Sequence, residues 1–204
     1  MRHLPGTALI FGLLFVAGPV CQAGVIVSLA SDAPDLSNLS LGQTVTFNVS
    51  LSGLNPGDSL DFLGTDIQFD GTLLGTPTSI TPGAIVPDVT GFAAGASPGV
   101  ASALYDDLFA FSALPITSNG SFFTFSLTAL TTGSGTISFD PAPSSFGTDS
   151  LGDFLPDVTA GQPLDFNVQG TVLVPEPSSF VIFATAFASA GVRRLFRRRR
   201  QKSC

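Results

Sequence analysis

The chain has 204 residues, 15 acidic against 8 basic, and a formal net charge of −7. The charges are segregated: apart from Arg2, every Lys and Arg lies from Arg193 onward, and between Gly24 and Pro175 there are fourteen Asp but no Lys, Arg, His or Glu. A central span this anionic excludes nucleic-acid binding, because nothing in it neutralises phosphate, and it has no His general base, Lys Schiff base or Arg clamp to offer.

At the start of the chain, Arg2 and His3 precede an apolar run, Ala8 to Gly18, and a small-x-small site at Cys21-Gln22-Ala23. This is the layout of a secretory signal peptide over residues 1–23, with signal peptidase expected to cut between Ala23 and Gly24. The run is too short for a membrane span, which needs about 20 apolar residues. Val20 is too bulky for the position before a lipidated cysteine, so Cys21 reads as part of the leader. The other cysteine, Cys204, is the last residue, and no disulfide framework is available to the part between. About 150 residues remain for a core, enough to fold without staples.

Across residues 24–173 the apolar period is two. Gln43 to Leu51 (QTVTFNVSL) sets Val45, Phe47, Val49 and Leu51 against Thr44, Thr46, Asn48 and Ser50, a strand with one buried face. Further strands are expected over Val25 to Leu29, Phe62 to Phe69, Leu73 to Ile80, Val100 to Tyr105, Leu108 to Ala113, Ser121 to Leu130, Gly135 to Phe139 and Leu164 to Val174. Clusters such as Gly53-Leu54-Asn55-Pro56-Gly57-Asp58 and Asp140-Pro141-Ala142-Pro143 punctuate them with turn-forming residues. The expected fold is all-β: an antiparallel two-sheet sandwich of about nine strands. An N-terminal signal helix and a C-terminal hydrophobic helix are expected to flank it.

Chemistry in this span falls to Asp, Ser, Thr, Asn and one Tyr. Asp66 with Asp70 and Asp106 with Asp107 are close enough in sequence to suggest paired carboxylates, but no Trp and only Tyr105 are present to form a sugar platform. The expectation is a protein that is not an enzyme. Two readings stand for the loop carboxylates. Asp106, Asp107, Asp149, Asp153 and Asp157 are either solvated turn formers or ligands of calcium, which takes six to eight oxygens; no other cofactor is expected.

The last segment, 174–204, is ordered in three parts. Val174, Pro175, Glu176 and Pro177 are followed by the uncharged run Phe180 to Val192, then by Arg193, Arg194, Arg197, Arg198, Arg199 and Arg200. The prolines hold the chain extended and open to an enzyme. The apolar run partitions into the bilayer, and the arginines stop translocation on the cytoplasmic side. In order and spacing this tail resembles the PEP-CTERM sorting signal of Gram-negative bacteria. The resemblance implies export, transient anchoring by the C-terminal helix, and processing at Pro175-Glu176-Pro177 by an exosortase, with a destination at the cell surface or in an exopolysaccharide-rich biofilm matrix. A permanent single-pass anchor with a Pro-rich stalk is the alternative. Either way residues 24–173 face outward.

A second resemblance runs through the central domain. The strand Val45 to Leu51, the Gly57-Asp58 turn, the segment Phe62-Leu63-Gly64-Thr65-Asp66-Ile67-Gln68-Phe69-Asp70 and the later Gly120 to Leu127 are similar to cohesin and related carbohydrate-binding β-sandwiches. That resemblance implies a jelly-roll-like sandwich. Two functions follow as expectations: a structural or adhesive surface module, or a module that binds exopolysaccharide, with calcium as a bridge. The first is expected to keep its Phe side chains inside, and the second to expose an aromatic cluster.

Overall fold

The computed structural model describes residues 24–110 and 114–170. Ala23, the motif Val174 to Pro177, the arginine cluster and both expected flanking helices lie outside the described residues; Gly24 lies within them and is exposed. No helix among the described residues is long and apolar enough to cross a membrane.

The described chain forms β1 (Ile26–Ser31), β2 (Leu39–Ser40), β3 (Thr44–Ser52), β4 (Ser59–Gln68), β5 (Thr78–Pro82), β6 (Phe92–Ser97), β7 (Val100–Asp106), β8 (Gly120–Thr128), β9 (Gly133–Phe139), β10 (Ser144–Thr148), β11 (Thr159–Ala160) and β12 (Leu164–Gln169). One sheet has the order β11-β1-β3-β8-β5. The other runs β2-β12-β9-β4-β7-β6, with β10 also paired to β4. All pairings are antiparallel except the two-residue contacts of β1 with β11 and of β12 with β2. The sandwich expected from the sequence is therefore present, with short additional strands.

Two expected strands differ. Leu73 to Ile80 is strand only from Thr78, preceded by a single bridge between Leu74 and Ala129. Leu108 to Ala113 is not a strand where it is described, because the Asp106 carboxylate accepts a hydrogen bond from the Leu108 N–H and the Phe109 and Ala110 N–H groups donate to the Asp106 and Asp107 carbonyls. A carboxylate that bonds the backbone two residues on favours a turn over a ladder.

The alternation in β3 is as the sequence sets it, with Val45, Phe47, Val49 and Leu51 buried. Outside, the Thr44 and Thr128 hydroxyls pair at 2.9 Å and those of Thr46 and Ser126 at 3.3 Å, so this face is neutral. Inside, a bulge in β8 breaks the alternation: Val49 pairs with Phe123 and Ser50 with Ser121, which leaves Phe122 as the extra residue. A bulge turns two neighbouring residues toward one face, and Phe122 and Phe123 are accordingly both buried. Ring contacts then cross the core. Phe47 stacks on Phe125 at 5.3 Å, Phe122 meets Phe123 edge-on at 5.4 Å, and Phe92 of β6 reaches Phe122 at 6.1 Å from the opposite sheet.

Candidate functional site

The outer face of the sheet formed by β10, β4, β7 and β6 carries an open groove of about 370 Å³. Register explains its floor. Gly64 pairs with Leu104 and Leu104 with Ala93; Asp66 pairs with Ser102 and Ser102 with Gly95. Two rows of mostly small side chains thus cross three strands. Space is tight at both glycines: a Cβ on Gly95 would come 2.6 Å from the Ser102 hydroxyl, and one on Gly64 would come 3.1 Å from the Ser144 hydroxyl and 3.2 Å from the Phe62 ring. Phe62 and the segment Pro141 to Ser144 form the walls.

Asp66 is the one carboxylate lining this groove. Its sequence neighbour Asp70 lies past the end of β4, where its carboxylate accepts from the Thr72 N–H at 2.8 Å and the Thr72 hydroxyl at 2.6 Å. Those bonds favour the ionised form and hold the Asp70 carboxyl below the usual carboxylate range. The suggested pair is not formed. A single carboxylate over a floor of Gly, Ala, Ser and Leu can orient a partner's donor groups, but it offers no acid and base in tandem.

Of the other sequence candidates, Asp106, Asp107, Asp149 and Asp153 lie at one end of the sandwich, where β4 begins and β7 and β10 finish; Asp157 lies back along β10, where the Val158 N–H donates to the Ser145 hydroxyl. Asp107 donates its N–H to the Asp61 carbonyl at 2.9 Å. Burial first, and the Asp107 charge second, push the Asp61 carboxyl up. Asp149 spends one oxygen on the N–H groups of Leu151 at 2.8 Å and Asp153 at 2.9 Å, and its own N–H donates to the Asp153 carbonyl. Among the described residues no three of His, Cys, Asp or Glu come together in a group that could hold a metal ion. Asp149 and Asp153 share one turn, in which the Asp149 carboxylate accepts from the backbone, and the Asp106 carboxylate accepts from the Leu108 N–H of the turn it makes.

Tyr105 is fully buried on the inner face, and its hydroxyl donates to the Leu114 carbonyl. Burial raises its pKa first, and the charges of Asp88, Asp107 and Asp106 raise it further. It is a core residue and not a sugar platform. Phe47, Phe122, Phe123, Phe125 and Phe166 are also buried, but Phe109, Phe146 and Phe154 are exposed. Phe146 and Phe154 touch at 5.4 Å with their planes tilted by 51°. Sequence reasoning missed this cluster. The available signal was an aromatic residue inside a loop of Gly, Asp and Pro, as in Gly152-Asp153-Phe154-Leu155-Pro156.

Comparison with solved structures places the fold among cohesins. The sixth cohesin of scaffoldin B from Acetivibrio cellulolyticus, solved in complex with a Cel5 dockerin mutant, superposes with a TM-score of 0.54 at 20% identity, over 72% of this chain and 100% of that one. The seventh ScaB type I cohesin from Pseudobacteroides cellulosolvens gives a TM-score of 0.58 at 16% identity, over 75% and 97%. A non-cellulosomal cohesin from the archaeon Archaeoglobus fulgidus gives 0.50 at 11% identity, over 72% and 92%. At these identities the likeness is one of fold. No protein-family model matches the chain, and no curated protein matches it.

Proposed function

We propose that this chain is an exported, non-enzymatic module of the cell surface or extracellular matrix, in which the sandwich docks a partner macromolecule. The groove carries this reading: a shallow trough across β4, β7 and β6, floored by Gly64, Gly95, Ala93 and Ser102, admits the side chains of another surface and holds one carboxylate only. The dockerin complexes of similarly folded domains support a protein as that partner. The exopolysaccharide reading draws on the exposed Phe146 and Phe154 rings, but their mutual tilt of 51° gives no common plane for a sugar chain to lie on.

Export and processing complete the proposal. Signal peptidase removes residues 1–23, the tail anchors the precursor in the membrane, and an exosortase acts at Val174-Pro175-Glu176-Pro177. In a host that has an exosortase, the mature protein is expected to lose the arginine cluster, whereas Pro175→Ala with Glu176→Ala and Pro177→Ala should leave a longer, membrane-retained form. Intact mass spectrometry of the surface fraction reads the outcome. Cys204 retained on the mature surface protein would contradict the processing step.

A further inference from the structure

The end of the sandwich where β4 begins combines exposed apolar side chains with carboxylates. Large apolar side chains stand in water at the loop tips: Leu108 is 87% exposed, Phe109 71%, Leu151 85% and Phe154 74%. The loops that carry them leave β7 and β10, which flank β4 on opposite sides; Asp106 pairs with Phe62 and Thr148 with Ser59, so two strand spacings across and three residues along put the departure points about 14 Å apart. Isolated exposed apolar residues need no explanation, but a rimmed group of them marks an interaction surface. Every charge beside them is anionic. Asp106 and Asp107 adjoin Leu108 and Asp149 and Asp153 bracket Leu151, with no Lys, Arg or His between Gly24 and Pro175 to offset them.

We propose that this loop end docks a cationic amphipathic segment of a partner protein, one carrying Lys or Arg beside Leu, Ile or aromatic side chains. Charge complementarity selects this occupant. A second copy would bring the same carboxylates against these and be repelled. An anionic bilayer would accept the apolar tips but repel their rim. The described chain ends just after β12, which runs antiparallel to β9 and so points away from the start of β4.

The inference rests on the docking reading above and adds to the groove a second contact, on the loop tips. The test uses the full chain held in neutral phosphatidylcholine nanodiscs, titrated with a labelled Leu/Lys amphipathic peptide of about 18 residues, five helical turns. Matched Leu/Glu and Ser/Lys peptides and phosphatidylglycerol vesicles are run beside it. The Leu/Lys peptide is expected to bind, to weaken as salt rises, and to weaken at least about tenfold in the double variant Phe109→Ser, Phe154→Ser. Both positions are solvent-exposed, and an unchanged melting temperature verifies that the variant is folded. Equal binding of the Leu/Glu or Ser/Lys peptide would overturn the proposal, as would a double variant that binds normally, vesicle binding that the double variant loses, or self-association through these residues. Loss of peptide binding in Gly95→Phe instead would move the contact to the groove, which keeps the docking reading and rejects this one.

Discussion

Replacing Phe125 with alanine is expected to cost the mature protein about 3–5 kcal/mol of unfolding free energy. Phe125 is fully buried, stacks on Phe47 across the β3–β8 pair at 5.3 Å and lies 5.9 Å from Phe123. Truncation leaves a cavity lined by rigid rings on adjacent strands, which cannot collapse into it as a flexible Leu or Met lining would. Since single domains are stable by about 5–15 kcal/mol, this one change removes a large share of the total. The control is Phe109→Ala, a change of the same size at an exposed loop tip, expected within about 0.5 kcal/mol of the parent. Denaturant unfolding with equal slopes measures both. Equal losses at the two sites would contradict the placement of the aromatic core.

The second large effect is expected at Gly147. It lies in β10 where the register against β4 slips, with Phe146 opposite Phe62 and Gly147 opposite Leu60. A Cβ there would come 2.1 Å from the Ser59 carbonyl oxygen and 2.9 Å from the Leu60 Cα, both backbone atoms that cannot swing aside. Gly147→Ala therefore has to push β10 off the edge of β4, and it takes with it the bond from the Leu155 N–H to the Gly147 carbonyl. The expected loss is about 2 kcal/mol or more, in the range of overpacked sites. Gly152→Ala makes a useful comparison. Its φ of +86° carries a strain of about 1 kcal/mol for an L side chain, but nothing lies within 4 Å of the new Cβ. Hydrogen exchange at Leu155 should rise in the first variant and stay slow in the second.

Where local pattern and burial agree, the fold was legible. β3 reads directly from Gln43 to Leu51, because each apolar residue in it faces the core. β6 was not, because Phe92-Ala93-Ala94-Gly95-Ala96-Ser97 has neither alternation nor β-branched residues. It is a strand because Pro98 and Gly99, the latter at φ +85°, make the tight turn that folds it back on β7. The groove was hidden for the same reason. Its floor is assembled from three strands by long-range register, and no local motif marks Gly64, Ser102 and Gly95 as neighbours. At the loop end the alternation of Leu108 to Ala113 suggested a strand, but the Asp106 carboxylate captures the backbone first. The exposed Phe109 follows from that turn. Composition alone did make the anionic, cation-free character of the domain plain.

Site-specific photo-crosslinking on living cells tests the docking claim most directly. A benzophenone side chain at Ala142, exposed on the groove wall, is compared with one at Thr44, exposed on the neutral hydroxyl face of the opposite sheet. The docking account predicts an adduct of defined mass from Ala142, none from Thr44, and loss of the Ala142 adduct when Gly95→Phe fills the groove. An Ala142 probe that captures nothing, or the same adduct from both faces and from the filled groove, would contradict it.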